Sequence, residues 1–229
     1  MTSSRTTAHP RRIAILGAGR IGRPVGRHWI RAGHTVTFGS RTPDRLAEFV
    51  DSLGGRARAA NWHGAVSDAD VVMLAVPYEG VDALAEEVGH LLAGRTVIDA
   101  TNPMTVSAEG RVASALGPGT TAGSRMAERL PGVAVVRAFS HVVEELLETR
   151  AFSPMPVAMA YAGDDARAKA EVADLIGDTG FQPVDLGSLA ESAPLDPGGV
   201  LFAGLFTEAD VRHRVDLVRR AGEAVTAVA

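Results

Sequence analysis

Short apolar runs alternate with longer amphipathic stretches along most of the chain. "RIAIL", "TVTFGS", "DVVMLAVP", "TVIDATNP", "VAVVRAFS", "PVAMAYAG" and "QPVDLG" read as strands, with a weaker one at "RARAAN". Between them, "RPVGRHWIRAG", "PDRLAEFVDSL", "GVDALAEEVGHLL", "VVEELLET" and "DARAKAEVADLIGDTG" carry helical spacing, as do residues 107–116 and 121–130. Strands that are apolar without alternation are buried on both faces, as in a parallel sheet covered by helices. Their regular exchange with helices marks βαβ units and an α/β fold. The style holds from residue 13 to Gly187 without a compositional break, which predicts one domain over 13–187. The polar stretch 1–12 reads as a disordered tail. Residues 188–229 read as a small appendage, a Gly/Pro-interrupted apolar segment and then a polar helix.

Composition narrows the function more than the fold. At 229 residues, 46% hydrophobic and 22% charged, the chain is an ordinary globular one, and its 25 glycines suit many tight strand-to-helix turns. A net charge of −4 speaks against a nucleic-acid partner. The chain has no cysteine, which removes disulfides, thiolate catalysis and sulfur-bound metal, and fits a cytoplasmic protein. No apolar run is long enough to span a membrane. The histidines show no metal-ligand spacing, and no metal is expected.

Gly17-Ala18-Gly19-Arg20-Ile21-Gly22 follows the first strand and opens the first helix. Glycine in that context allows a tight turn, then close approach of backbone to a pyrophosphate, then close packing of helix on sheet. The chain is therefore expected to form a Rossmann-type doubly wound, mostly parallel sheet with helices on both faces. In NAD-binding relatives of this fold an acidic residue at the end of strand two holds the ribose hydroxyls. Here that place reads Gly39-Ser40-Arg41-Thr42, with no carboxylate before Asp44. A guanidinium and hydroxyls suit a 2′-phosphate, so the expected cofactor is NADP(H), held by Gly17, Gly19, Gly22, Ser40, Arg41 and Thr42.

Ligands in such sheets lie beyond the carboxyl ends of the strands. The residues there are Ala75, Val76, Pro77 and Tyr78 after the fourth strand, Thr101, Asn102 and Pro103 after the fifth, and Phe139, Ser140 and His141 after the sixth. Pro77 can also merely stop a strand, and Asn102-Pro103 can be only a turn. Glu144, Glu145 and Glu148 read as a solvated helix face, and Trp62 and His63 as packing near the third strand. No nucleophilic triad, metalloprotease pair or P-loop lysine is present. That suits hydride transfer, where the cofactor carries the difficult chemistry. His141 and Ser140 are the candidate catalytic pair, with His141 as a proton donor or hydrogen-bond partner. Phe139, Met155 and "GGVLFAGLF" are expected to wall the acceptor pocket.

From Arg12 to Gly187 the chain resembles the coenzyme F420-dependent NADP oxidoreductases, whose relatives include the reductase domains of metalloreductases. The resemblance rests on "IAILGAGRIG", "FGSR", "VVMLAVPYEG", "VIDATNP", "VVRAF" and "AGDDARAKAEVADLIGDTGFQPVDLGSL". It implies hydride transfer between NADPH and a small-molecule acceptor, a 5-deazaflavin (coenzyme F420) or a flavin. It also implies that Arg20 and Ile21 join Gly17 and Gly19 at the pyrophosphate, and that Ala75, Val76, Pro77 and Asn102 line the path to the nicotinamide. Two features depart from the family pattern. Ser140-His141 stands where Asn-Thr or His-Thr is common, and Ala193-Pro194 lies near the place of a frequent arginine.

Two other functions fit the same residues: a biosynthetic imine or carbonyl reductase, and an NADP(H)-sensing regulatory protein without turnover. The apolar run Gly198–Phe206 is hard to cover at the edge of one copy, and the resemblance implies a homodimer in which residues 188–229 pack on the acceptor site or the dimer interface. Light scattering at micromolar concentration is expected to return twice the chain mass. A monomer mass would refute the dimer.

Overall fold

In a computed structural model, residues 10–226 are described. Residues 1–9 of the expected tail lie outside the described residues. Arg12 already belongs to the first strand, its backbone N–H donating to Asp70 Oδ2 at 2.9 Å.

In chain order the elements are β1 (Arg12–Leu16), α1 (Gly22–Ala32), β2 (Thr35–Gly39), α2 (Ala47–Leu53), β3 (Ala57–Ala60), α3 (Trp62–Ser67), β4 (Val71–Leu74), α4 (Val81–Val88) and β5 (Thr96–Asp99). There follow β6 (Met104–Val106), β7 (Val112–Ser114), α5 (Ala122–Arg129), β8 (Ala134–Arg137), α6 (Glu144–Thr149), β9 (Ala158–Gly163), α7 (Ala166–Asp178), β10 (Gln182–Asp185) and α8 (Glu208–Thr226). Eight strands form one sheet in the order β10-β9-β8-β5-β4-β1-β2-β3. All neighbours are parallel except β8 and β9. The chain thus has the expected mostly parallel, Rossmann-type α/β fold.

Strand periodicity sorts the core into two layers. Ile13, Ile15, Val71 and Met73 face one way, against Val25 and Trp29 of α1 and Val172, Leu175 and Ile176 of α7. Trp29 ties those two helices together by donating from Nε1 to the Leu175 carbonyl at 2.9 Å. Ala14, Leu16, Val72 and Leu74 face the other way, against α3, α4 and α5 through Val66, Leu84 and Met126. A third cluster joins Ala158, Ala160 and Ala162 of β9 to Leu195, Leu201 and the buried Val211 and Val215 of α8. The C-terminal segment therefore covers the far end of the sheet.

Register fixes what reaches the ligand edge. Gly39, Leu16, Leu74, Asp99 and Arg137 form one row across β2, β1, β4, β5 and β8. The residues just after this row share one edge. Because β9 runs backward, with Arg137 opposite Ala162, its first residues from Ala158 project about 13 Å past that row at ordinary strand rise.

The helix expected over 107–116 is not formed. Met104–Val106 and Val112–Ser114 pair as an antiparallel hairpin. Gly110 takes φ +79°, and Ser107 closes the turn with Arg111 and Gly110, a backbone course that a helix cannot follow. The helix expected over 121–130 is α5, capped by the Thr121 hydroxyl, which accepts from the Ser124 N–H. Residues 62–67 form α3, which the strand-and-helix pattern missed. Its start is set by Asn61, whose side chain accepts from the Gly64 N–H at 2.8 Å.

Candidate functional site

The glycine loop behaves as its spacing requires. Gly17 has φ +110°, and its N–H donates to the Gly39 carbonyl at 3.0 Å. A Cβ on Gly17 would overlap the Ala75 carbonyl, and one on Gly22 would overlap the Gly17 carbonyl. These two glycines are demanded by packing. Gly19 differs: no described atom lies within 4 Å of where its Cβ would sit. Its free space adjoins the start of α1, which no side chain caps; the Arg23 N–H is taken by the Gly19 carbonyl at 3.1 Å and Pro24 has none, which leaves the Gly22 N–H without a partner among the described residues. A helix start of that kind is an anion site, and the loop fits a pyrophosphate.

At the end of β2, Ser40 Oγ accepts from the Thr42 N–H at 3.1 Å, and Arg41 and Thr42 are exposed. Among the described residues no group pairs with the Arg41 guanidinium. A free cation beside a hydroxyl, with no carboxylate at the strand end, fits a 2′-phosphate.

A cleft of about 620 Å³ opens beyond the sheet row. Its floor is Gly19, Arg20 and Ile21 from the loop, with Ala75, Val76, Pro77 and Tyr78 after β4. One wall is Ala100, Thr101 and Asn102 after β5, and Ser140 and His141 after β8. The C-terminal segment supplies Phe202 and Ala203. The structure thus brings together the expected loop, β4, β5 and β8 residues, while Ser40, Arg41 and Thr42 lie outside the cleft lining. Phe139 is not a pocket wall. It takes φ +61° and buries its ring against Trp29, with centroids 5.8 Å apart, which turns Ser140 and His141 toward the cleft. Met155 is exposed and outside the lining.

Asn102 spends its amide within the protein. Nδ2 donates to the Ser140 carbonyl at 2.7 Å, and Oδ1 accepts from Arg137 at 3.0 Å. Arg137, with no exposure, also donates to Asp99 at 2.9 Å and to the Thr101 carbonyl at 2.8 Å, and forms an ion pair with Asp196 at 2.9 Å. Asp99 accepts from the Thr101 N–H and hydroxyl, and Asp196 from the Ala122 N–H at the start of α5. This ionic cluster behind the wall was missed from sequence. An arginine at the end of an otherwise apolar strand was its only signal.

His141 is 1% exposed, and its Nδ1 is buried without a partner, as is Ser140 Oγ. Burial first, and then the Arg137 charge, push the His141 pKa down to about 3. The ring is neutral near pH 7, so an imidazolium acid, one of the expected roles, is not available. Its Nδ1 is open to a hydrogen bond from a ligand. Glu144 and Glu148 are not a merely solvated face. Glu144 pairs with Arg20 at 2.8 Å across the cleft mouth, and Glu148 with Arg27 at 2.7 Å.

The model of the family described as NADP oxidoreductase coenzyme F420-dependent matches residues 12–103, the glycine loop through the end of β5. Over these residues the chain belongs to this family. Metalloreductase STEAP3 of Rattus norvegicus is 28% identical over 189 residues, 81% of this chain and 36% of its own length. The chain thus spans about a third of the length of the curated relatives it matches. Among solved structures, a hypothetical protein, SMa0349 of Sinorhizobium meliloti, is 30% identical with a TM-score of 0.72, covering 86% of this chain and 95% of that one. A protein of Arthrobacter sp. FB24 assigned as an F420-dependent NADP-reductase is 24% identical with a TM-score of 0.71, covering 86% and 99%, and shares the fold.

Two outcomes follow from this site. Gly19→Ala is expected to stay within about 0.5 kcal/mol of the parent in urea unfolding yet to weaken NADPH binding. Gly22→Ala is expected to lose stability as well. For His141, the depressed folded pKa means that its stability contribution is complete above the ordinary 6.5 and is lost as pH falls from there toward about 3. Relative to His141→Gln, the parent should lose about 2 kcal/mol between pH 7 and 5. Parallel stability curves would show that the folded ring titrates normally.

Proposed function

We propose that this chain acts in the cytoplasm as an NADP(H)-dependent oxidoreductase that transfers hydride between NADPH and a flavin-like acceptor, foremost a 5-deazaflavin. The observation that carries the cofactor half is the unpaired Arg41 guanidinium beside Ser40 at the end of β2. Gly17, Gly19, Ile21 and Gly22 would seat the pyrophosphate on the uncapped start of α1. Arg20 reaches that phosphate only by leaving Glu144. Ala75, Val76, Pro77 and Asn102 would line the path to the nicotinamide. When bound, NADPH supplies the hydride.

The chain's own residues then orient and enclose. Val142, Val143 and Phe202 give the cleft an apolar side, which keeps water from the reacting faces. Neutral His141 and Ser140 offer hydrogen bonds to an acceptor carbonyl or ring nitrogen without delivering a proton from an imidazolium. A flavin-like acceptor tolerates this, because its conjugated rings spread the arriving electron pair. An imine or carbonyl gains more from a strong acid, so the neutral ring favours the flavin-like reading. The open apolar space beside Ala203 suits turnover better than a sensor with a blocked pocket. Exposed Met104, Val106, Val200 and Leu205 supply apolar surface that a second copy would cover.

NADPH oxidation measured against a panel of deazaflavin, flavins and simple imines tests the acceptor. Turnover confined to imines would overturn the flavin-like assignment. Arg41→Ala is expected to raise the NADPH dissociation constant about 10- to 100-fold, since one charge-assisted contact contributes about 1.5–3 kcal/mol. NADH binding should hardly change, and equal loss for both would contradict the phosphate contact.

A further inference from the structure

We propose that Arg137 is a positioning residue that sets both walls of the nicotinamide end of the cleft, a role that rests on the NADP(H) reading. Its guanidinium has no exposure and touches no ligand space. It acts through two arms. In one, Nη2 donates to Asn102 Oδ1 at 3.0 Å. That bond fixes which end of the amide is oxygen, so Nδ2 must donate to the Ser140 carbonyl at 2.7 Å. The Ser140–His141 turn is thereby held against the left-handed backbone of Phe139.

In the other arm, Nε faces Asp196 Oδ1 at 2.9 Å. Asp196 opens the segment that supplies the adjoining wall: its carbonyl accepts from Gly199 at 2.8 Å, and Leu201 donates to Pro194 at 3.0 Å. The segment ends with Ala203, also at positive φ, donating its N–H to the His141 carbonyl at 2.8 Å. The two arms close a ring through Arg137, Asn102, Ser140, His141, Ala203 and Asp196. Lysine cannot replace this residue, because a single ammonium lacks the planar fork that meets Asp99, Asn102 and Asp196 together.

The test compares two ligands by calorimetry: NADPH, and 2′,5′-ADP, the adenosine half of NADP that does not reach this end of the cleft. The proteins are the parent, Arg137→Lys, Asn102→Ala, their double variant and Asp196→Asn. 2′,5′-ADP binding is expected to stay within about twofold throughout, while each single variant weakens NADPH about tenfold. Because Arg137 and Asn102 act in series, the double variant should be about as weak as the weaker single one. Equal loss of both ligands, unchanged NADPH binding, or a roughly hundredfold additive loss in the double variant would overturn the positioning role. If Arg137→Lys does not fold, Asp196→Asn decides the matter by the same two-ligand comparison, since its amide oxygen still accepts from Ala122 while the charge is gone. A parent protein that binds neither ligand would overturn the NADP(H) reading and this inference with it.

Discussion

One buried cation organises the ligand edge of this sheet. Arg137 is surrounded by Asp99, Asp196 and the oxygens of Thr101 and Asn102, with solvent excluded. Charges removed from water to this extent persist only when each finds opposite charge and hydrogen bonds, and removal of one partner typically costs about 3–5 kcal/mol. Burial pushes the Asp196 carboxyl up, while Arg137 and the Ala122 N–H oppose that shift. The cluster therefore joins β5, β8, the start of α5 and the C-terminal segment into one unit, and none of them can shift alone without stranding a charge.

That constraint explains how two non-glycine residues at positive φ flank the same cleft. Phe139 and Ala203 sit in a region that costs of order 1–3 kcal/mol for residues with a side chain. The Phe139 ring is locked against Trp29, and Ala203 is bonded to the His141 carbonyl. Local strain is tolerated where surrounding contacts over-determine the backbone. The same enclosure leaves His141 Nδ1 and Ser140 Oγ without protein partners, polar groups that a ligand can satisfy.

Much of the fold was legible because its signals are local. Apolar runs such as "DVVMLAVP" became β4, and Gly17, Gly19 and Gly22 announced the turn into α1 within a few residues. The strand-end residues followed from the parallel order alone. What could not be read was set by distance or by small turns. Asp99 and Arg137 lie 38 residues apart in sequence, and only sheet register makes them neighbours. Glu144 looked like any exposed acid on a helix until the fold brought it to Arg20 across 124 residues. The 104–114 hairpin has three-residue strands, too short for a period of two to stand out against helical spacing.

The reversed direction of β9 divides the labour between the two halves of the chain. Its overhang past the sheet row gives the last third a scaffold of its own, where the Ala158 N–H donates to the Phe206 carbonyl at 2.8 Å. The nucleotide half, built from β1 to β5, draws on the later residues through α7, whose Val172, Leu175 and Ile176 pack into its core. The wall supplied after β10 can be rebuilt while α7, the loop, Arg41 and the floor stay as they are. Modularity of this kind lets one nucleotide-binding frame carry different facing walls, with Asp196 as the joint that any replacement wall must preserve.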